Sequence, residues 1–149
     1  MKQKAKYIIG IDAGGTKTQT ILTDLQKDVF ICGYGNRPAN PTRIPLEKAS
    51  ATLAEATAEV IRDGGFTPSD IAAVCLGVAG GGKKEHQAAI AAAVAKLGIT
   101  GPILVVSDVV AAFWGAIPDG HGVIAISGTG SSAYGADKQG NTATAGGWG

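Results

Sequence analysis

The sequence lacks the features of a membrane, secreted or nucleic-acid-binding protein. No apolar stretch approaches the roughly 20 residues that cross a bilayer, and the apolar run 7–11 behind the basic N-terminus is too short for a signal-peptide core. Its 13 basic and 12 acidic residues give a formal net charge of +1, so no field of one sign attracts a nucleic-acid backbone or an anionic membrane. We therefore expect neither nucleic acid nor a membrane among its partners.

Cysteine is also scarce, with only Cys32 and Cys75 in the chain. The two are far apart, lie in apolar strand-like runs and form no CxxC or Cys/His cluster, which argues against a disulfide framework or a cysteine-bound metal. We interpret both as reduced residues of the hydrophobic core. This interpretation indicates a cytoplasmic protein.

The residues that are present are typical of a globular protein, because 45% are apolar and only 17% are charged. A length of 149 residues is enough for one ordinary domain and too short for two complete ones. Any activity that needs two complete lobes would therefore involve a longer protein or a second chain.

Hydrophobic periodicity predicts an α/β fold with the element order βββαβαβα over residues 1–117. After the turn signal Pro118-Asp119-Gly120 the pattern returns to strands, so residues 118–149 would begin a second βββ unit. The predicted domains are a first lobe, 1–117, and the truncated start of a similar lobe, 118–149. A single α/β domain with a terminal hairpin is the alternative.

The segment Asp12-Ala13-Gly14-Gly15-Thr16-Lys17 joins two predicted strands, so it is neither a Walker loop nor a dinucleotide fingerprint, which both open a helix. Its glycines let backbone N–H groups approach phosphate oxygens, while Thr16 adds a hydroxyl group and Lys17 a positive charge. Asp12 could hold Mg²⁺ directly or through water. Taken alone, the segment would also suit a glycine-rich hairpin without a ligand.

A second glycine loop, Ser127-Gly128-Thr129-Gly130-Ser131, again lies between two predicted strands. By itself it would suit a structural turn. Two such loops, one opening each predicted lobe, favour a phosphate chain held between them, because phosphoryl transfer depends mainly on positioning and charge stabilisation.

Asp108 follows the predicted strand 103–107 and opens a predicted helix. It should therefore lie at the carboxyl end of a sheet strand, where α/β proteins bind their ligands, and the helix N-terminus favours its ionised form. An ionised carboxylate there could accept a proton from a substrate hydroxyl group. The alternative is an N-cap residue with no further role.

Four segments, in this order and spacing, resemble the BadF/BadG/BcrA/BcrD ATPase family: residues 12–18, Val106-Ser107-Asp108, residues 126–131 and Gly146-Gly147-Trp148-Gly149. The resemblance covers essentially the whole chain and implies the ribonuclease-H-like, actin-like ATPase fold. Because the family includes N-acetylglucosamine kinases, it also implies ATP with Mg²⁺ and phosphoryl transfer to a hydroxyl group of an amino sugar. We expect a homodimer.

The resemblance further implies roles for single residues. The first phosphate loop would be Gly14, Gly15, Thr16 and Lys17, and the second would be Ser127, Gly128, Thr129, Gly130 and Ser131. Asp12 would organise Mg²⁺ and Asp108 would be the general base. The predicted sugar-binding residues are Asn40, Gly80, Asp108, Thr129, Gly146 and Gly147, with Asn36 less well placed than Asn40. Asparagine and glycine residues of this kind also serve as plain turn residues.

The family also contains ATPases that drive electron transfer to acyl-CoA reductases and dehydratases, characteristically with a cysteine-bound iron–sulfur cluster. Cysteines in predicted strands do not suit such a cluster, so the sugar kinase is our first hypothesis and this ATPase is the alternative. A non-catalytic sugar sensor is a third.

The chain departs from the family in length, because no adenosine pocket has a counterpart before Gly149. We therefore expect this chain alone to be inactive.

Overall fold

A computed structural model of the protein describes residues 6–24, 26, 30–127 and 131–147. The strands and α-helices of these ranges are, in chain order, β1 (Tyr7–Ala13), β2 (Thr18–Asp24), β3 (Phe30–Gly35), α1 (Leu46–Asp63), β4 (Ile71–Val78), α2 (Lys84–Ala95), β5 (Ile103–Ser107), α3 (Asp108–Ala116), β6 (Gly122–Ser127), β7 (Ser131–Ala136) and β8 (Thr142–Gly146).

The first five strands form one mixed sheet in the order β3-β2-β1-β4-β5. β1 pairs antiparallel with β2 and parallel with β4, while β4 pairs parallel with β5 and β2 antiparallel with β3. The carboxyl ends of β1, β4 and β5 therefore lie at the same end of the sheet. The mixed sheet with helices between its strands confirms the predicted α/β class.

Helices α1 and α2 cover one face of this sheet and form the core with it. In α1, Leu53 and Val60 are buried at helical spacing, and the helix ends just before a turn in which Gly65 has a φ of +70°. Ile90 and Val94 are the matching buried residues of α2. These side chains pack against alternate strand residues, namely Ile9, Ile11, Leu22, Val74, Leu76 and Val78.

Helix α3 lies against the opposite face of the sheet. Leu76 and Val78 point into the core, so Gly77 between them points towards α3. A Cβ built on Gly77 would lie only 2.6 Å from the Ala111 Cβ, so glycine here permits the close packing of α3 on β4. Neither α3 nor any other helix of the described residues is long and apolar enough to cross a membrane.

The two cysteines lie on strand positions that face away from the core. Cys32 and Cys75 are free thiols, and both are exposed, so the prediction that they are core residues is wrong. Cys75 comes directly before the fully buried Leu76. Successive strand residues point to opposite faces, and therefore an apolar neighbour does not place a cysteine in the core.

The last three strands form a separate antiparallel sheet in the order β6-β7-β8. This sheet contacts α3, where the rings of Phe113 and Tyr134 meet edge to face with their centroids 4.9 Å apart. All residues of β8 are exposed, and Val123 of β6 is 74% exposed. Helix α3 thus joins a well-covered sheet to a largely uncovered one.

Leu76 of β4 and Leu104 of β5 test whether the hydrophobic core lies on the face of the five-stranded sheet that α1 and α2 cover. Leu76 is 0% exposed and Leu104 is 56% exposed. We expect Leu76→Ala to lower the free energy of unfolding by about 2–5 kcal/mol, because it opens a cavity in the core. The matched Leu104→Ala should cost less than about 1 kcal/mol. Urea denaturation of both variants measures the difference, and equal losses would contradict the assignment.

Candidate active site

Backbone hydrogen bonds hold three loops against the carboxyl end of β1. The loop between β1 and β2 is closed by the Gly14 N–H, which donates to the Lys17 carbonyl at 2.9 Å. The Ala39 N–H of the β3–α1 loop donates to the Gly14 carbonyl at 3.1 Å, and the Ala79 N–H after β4 donates to the Ala13 carbonyl at 2.8 Å. The predicted first phosphate loop and two loops of the predicted sugar site therefore form one hydrogen-bonded assembly.

Asn40 and Gly80, two of the predicted sugar-binding residues, lie side by side. Asn40 is 9% exposed, and its Oδ1 accepts hydrogen bonds from the Thr42 N–H at 2.8 Å and the Thr42 hydroxyl at 2.7 Å. A Cβ built on Gly80, which has a φ of +77°, would lie 2.5 Å from the same Oδ1. The Asn40 Nδ2 makes no hydrogen bond within the described part of the chain, so the amide keeps its donors for a ligand.

Helix α2 holds the turn that contains Gly80. The carbonyl oxygen of Gly80 lies 2.8 Å from the buried His86 Nδ1, and the Gln87 Nε2 donates to the Gly81 carbonyl at 3.0 Å. The sequence analysis did not identify His86 or Gln87. They belong to no sequence motif. Their hydrogen bonds to the Gly80 turn are visible only in the structure, where α2 packs beside that turn.

The carboxylates Asp12 and Asp108 lie on the same face of the sheet. Asp12 separates the buried residues Ile11 and Ala13, so its side chain points to the face that α3 covers, and it pairs with Gly77 of β4. The Asp108 Cα lies 3.7 Å from the Cβ position built on the same Gly77. The two predicted acidic residues are therefore neighbours at the end of the sheet.

Asp108 is the first residue of α3 rather than its N-cap. Ser107 occupies the N-cap position and makes no capping hydrogen bond with its side chain. The Asp108 Oδ1 accepts a hydrogen bond from the Val109 N–H at 2.9 Å, at a helix end that favours negative charge. Its second carboxylate oxygen makes no hydrogen bond within the described residues.

The second glycine loop is shorter than the sequence predicts. Ser127 and Ser131 are paired strand ends of β6 and β7 rather than loop residues. The predicted site residues Gly128, Thr129 and Gly130 between them lie outside the described residues.

Two predicted sugar-site glycines, Gly146 at the end of β8 and Gly147 directly after it, lie beside Ser131, the first residue of β7. The Gly147 N–H donates to the Ser131 carbonyl at 2.8 Å. A Cβ built on Gly146, whose φ is +80°, would lie 2.5 Å from the same carbonyl oxygen. The structure thus places Gly146 and Gly147 against the start of β7, and in the described residues no hydrogen bond joins them to the first loop.

Arg43 is a further residue at the first loop that the sequence analysis missed. Its Nη1 lies 3.5 Å, and its Cδ 3.6 Å, from the Cβ position built on Gly15. Arg43 lies three positions after Asn40, but an arginine in a proline-rich loop can have many roles, so the sequence alone did not single it out. Asn36, the weaker sugar candidate, is exposed.

Among the described residues around this end of the sheet, some positively charged side chains form ion pairs and others do not. Arg37 forms ion pairs with Glu55, at 3.0 Å, and with Glu59, and its hydrogen bond to Glu59 holds the pKa of the guanidinium above its usual value. Arg37 and Glu59 also line a cavity of about 290 Å³ between β3 and α1, apart from the candidate site. Lys17 and Arg43 form no ion pair within the described residues and are available to an anion.

In the described residues, no group of three or more His, Cys, Asp or Glu side chains could enclose a metal ion. Mg²⁺ is commonly held by one or two carboxylates together with phosphate oxygens and water. The exposed Asp12, beside a glycine loop and near Asp108, fits that kind of ligand set.

Comparison with known proteins assigns the chain to an ATPase family. Residues 9–149 match the BadF/BadG/BcrA/BcrD ATPase family, and the chain belongs to it. It is 37% identical, over 144 residues, to the N-acetylmuramic acid/N-acetylglucosamine kinase of Clostridium acetobutylicum. The match covers 97% of this chain and 47% of the relative, so the chain spans about half the length of the curated relative it matches.

Solved structures share the fold. A candidate N-acetylglucosamine kinase from Chromobacterium violaceum superposes with a TM-score of 0.76 at 22% identity, covering 99% of this chain and 50% of that one. A ROK family glucokinase from Streptomyces griseus, in complex with glucose and AMPPNP, superposes with a TM-score of 0.65 at 22% identity, covering 96% and 49%.

Two glycines with similar backbone angles test the contact between Gly80 and Asn40. Gly80 and Gly98 have φ values of +77° and +87°, but a Cβ on Gly98 would meet nothing within 4 Å. We expect Gly98→Ala to cost about 1–2 kcal/mol of stability, from backbone strain alone. Gly80→Ala should cost about 1–3 kcal/mol more, because its methyl group displaces Asn40. Thermal or urea denaturation measures both, and equal costs would contradict the contact.

Proposed function

We propose that this chain is the N-terminal part of an ATP-dependent sugar kinase that phosphorylates an amino sugar. Residues 1–117 would be the first lobe of an actin-like, ribonuclease-H-like kinase, and residues 118–149 would begin the second. The observation that carries this proposal is the assembly at the carboxyl end of β1. There, a glycine loop, the Asn40 loop and the Gly80 turn are hydrogen-bonded together, beside two neighbouring carboxylates.

On the phosphate side, the loop Gly14–Lys17 supplies backbone N–H groups, the Thr16 hydroxyl and the Lys17 ammonium group. Thr16 and Lys17 are exposed and therefore accessible to a ligand. The predicted second loop, between Ser127 of β6 and Ser131 of β7, would hold the phosphate chain from the other lobe. Mg²⁺, when bound through Asp12, would neutralise phosphate charge.

On the sugar side, the Asn40 amide is held in one orientation by Thr42, with its Nδ2 directed away from these bonds. A fixed donor of this kind suits a sugar hydroxyl group or an acetamido carbonyl oxygen. Gly146 and Gly147 would add backbone groups from the second lobe. The curated relative is named for N-acetylmuramic acid and N-acetylglucosamine, and we propose an N-acetylated amino sugar of this kind as the substrate.

Asp108 would act as the general base. A sugar hydroxyl oxygen attacks the terminal phosphorus of ATP, the new O–P bond forms as the bond to the ADP oxygen breaks, and the hydroxyl proton passes to the Asp108 carboxylate. The carboxylate suits this role because one of its oxygens is anchored by the Val109 N–H and the other is unpaired within the described residues.

The comparisons favour the kinase over the electron-transfer ATPase of the same family. The curated relative at 37% identity is a kinase. The two cysteines lie on strands and are separated by β2 and β1 in the sheet order, which does not suit cluster ligands. A cytoplasmic location and a homodimer stay predictions, on which the geometry of this chain does not bear.

The reaction can be tested directly. We expect the full-length protein to produce ADP from Mg²⁺-ATP at about 1–100 turnovers per second when N-acetylglucosamine or N-acetylmuramic acid is added, as is typical of kinases. A coupled ADP assay, with sugar-phosphate identified by mass spectrometry, measures this. ATP hydrolysis that no sugar stimulates would contradict the kinase and favour the energy-transducing ATPase.

The general base can be tested with Asp108→Asn in the full-length protein. Asparagine keeps the size and the oxygen that accepts from Val109 but cannot take the proton, so we expect turnover to fall about 10²- to 10⁴-fold while ATP affinity is nearly unchanged. Asp12→Asn is the contrasting variant and should weaken the use of Mg²⁺-ATP with or without sugar. Near-normal turnover in Asp108→Asn would show that Asp108 is not the base.

A further inference from the structure

We propose that Arg43 binds the terminal phosphoryl group of the nucleotide and carries its negative charge during transfer. The inference rests on the proposed function, because it takes the loop between β1 and β2 as the phosphate loop. Arg43 belongs to neither predicted glycine loop. Its place in the structure, rather than any motif, brings its guanidinium group to that loop.

The backbone of Arg43 is held at the same assembly as the predicted substrate residues. Its N–H donates to the Asn40 carbonyl at 3.0 Å, and the next N–H, of Ile44, donates to the same carbonyl at 3.1 Å. One residue before Asn40, the Ala39 N–H is bonded to Gly14 of the phosphate loop. The backbone of Arg43 is therefore fixed relative to Asn40, whose neighbour Ala39 is bonded to the phosphate loop.

The side chain of Arg43 lies along the phosphate loop. Its Cδ, Nη1 and Cζ atoms are 3.6, 3.5 and 4.0 Å from the Cβ position of Gly15, so both the stem and the guanidinium group contact this glycine. Arg43 is nevertheless exposed. The charged group is thus positioned by contact with the loop while its donors remain accessible to an anion.

The two arginines of the β3–α1 loop differ in their partners. Arg37 is neutralised by Glu55 and Glu59. Arg43 forms no ion pair with any described residue. A planar guanidinium group presents a rigid fork of donors that fits two oxygens of a phosphoryl group, whereas an ammonium group such as that of Lys17 acts as a compact point charge.

The location favours the terminal phosphoryl group over other anions. Arg43 contacts the phosphate loop with its side chain and the Asn40 loop with its backbone, so it lies where the nucleotide and sugar sides meet. The terminal phosphoryl group is the part of the nucleotide that must reach this boundary. Its charge grows over the equatorial oxygens during transfer, and a guanidinium donor there stabilises it.

The test compares ATP with ADP, which differ only by this group. In the full-length protein, we expect Arg43→Gln to weaken the binding of Mg²⁺-ATP about 10- to 100-fold, the loss of a charge-assisted contact, while ADP affinity changes less than about twofold. Arg43→Lys should restore only part of the ATP affinity. Calorimetric titration measures both nucleotides without turnover. Arg37→Gln is the matched control, and it should leave both affinities unchanged.

Several outcomes would overturn the proposal. Equal losses of ATP and ADP affinity in Arg43→Gln would place the residue at the inner phosphates or assign it a structural role. Unchanged nucleotide binding with a higher KM for N-acetylmuramic acid alone would show that Arg43 binds the sugar carboxylate instead. If the wild-type protein binds ATP and the variant binds it equally well, this inference fails while the proposed kinase stands. If the wild-type protein binds no nucleotide, both fail.

Discussion

The Ala13 and Gly14 carbonyl groups, at and just beyond the carboxyl end of β1, accept backbone hydrogen bonds from two other loops. Ala13 receives the N–H of Ala79 and Gly14 receives that of Ala39. β1 is the middle strand of the sheet and its inward residues are buried, so its end is a rigid support. The β3–α1 loop with Asn40 and the turn with Gly80 are both positioned from this point. A loop displaced from it would carry its polar residue away from the loop between β1 and β2.

The candidate site offers mainly backbone groups for binding, together with a few charged side chains. With a formal net charge of +1, the chain has no broad field to attract a nucleotide. Local groups would therefore have to attract the proposed nucleotide. Among the described residues, Lys17 and Arg43 form no ion pair, while Arg37 is paired with Glu55 and Glu59. A low overall charge is compatible with the proposed anionic ligand because the two positive charges of Lys17 and Arg43 lie at the loop between β1 and β2.

Glycine has two separate uses at this end of the sheet. Gly77 lets α3 approach β4, which brings Asp108 next to Asp12. Gly80 adopts a positive φ and leaves room for the Asn40 amide. In both cases the absence of a Cβ atom on the glycine determines the position of a polar neighbour, which is Asp108 for Gly77 and Asn40 for Gly80. These two glycines are therefore as important for the geometry of the candidate site as the side chains that would contact a substrate.

Local signals in the sequence were sufficient for much of this description. Alternating and helical periodicity predicted the α/β class, because each pattern depends on residues close in sequence. Asp12 could be assigned as a site candidate because it opens a glycine segment after an apolar run, and Asp108 because it follows a predicted strand and opens a predicted helix. The family could be assigned from four segments in register, and residues 9–149 match it.

The sequence by itself determined the class, the family and the strand ends that carry the carboxylates. Only the tertiary structure decided which face each strand residue occupies and which loops meet. Cys75 illustrates the first point, since an apolar run does not show its orientation until the neighbouring helices are placed. Arg43 and His86 illustrate the second, because their partners Gly15 and Gly80 are distant in sequence or belong to another element. The physical reason is that burial and loop contacts depend on packing between elements, which no local pattern encodes.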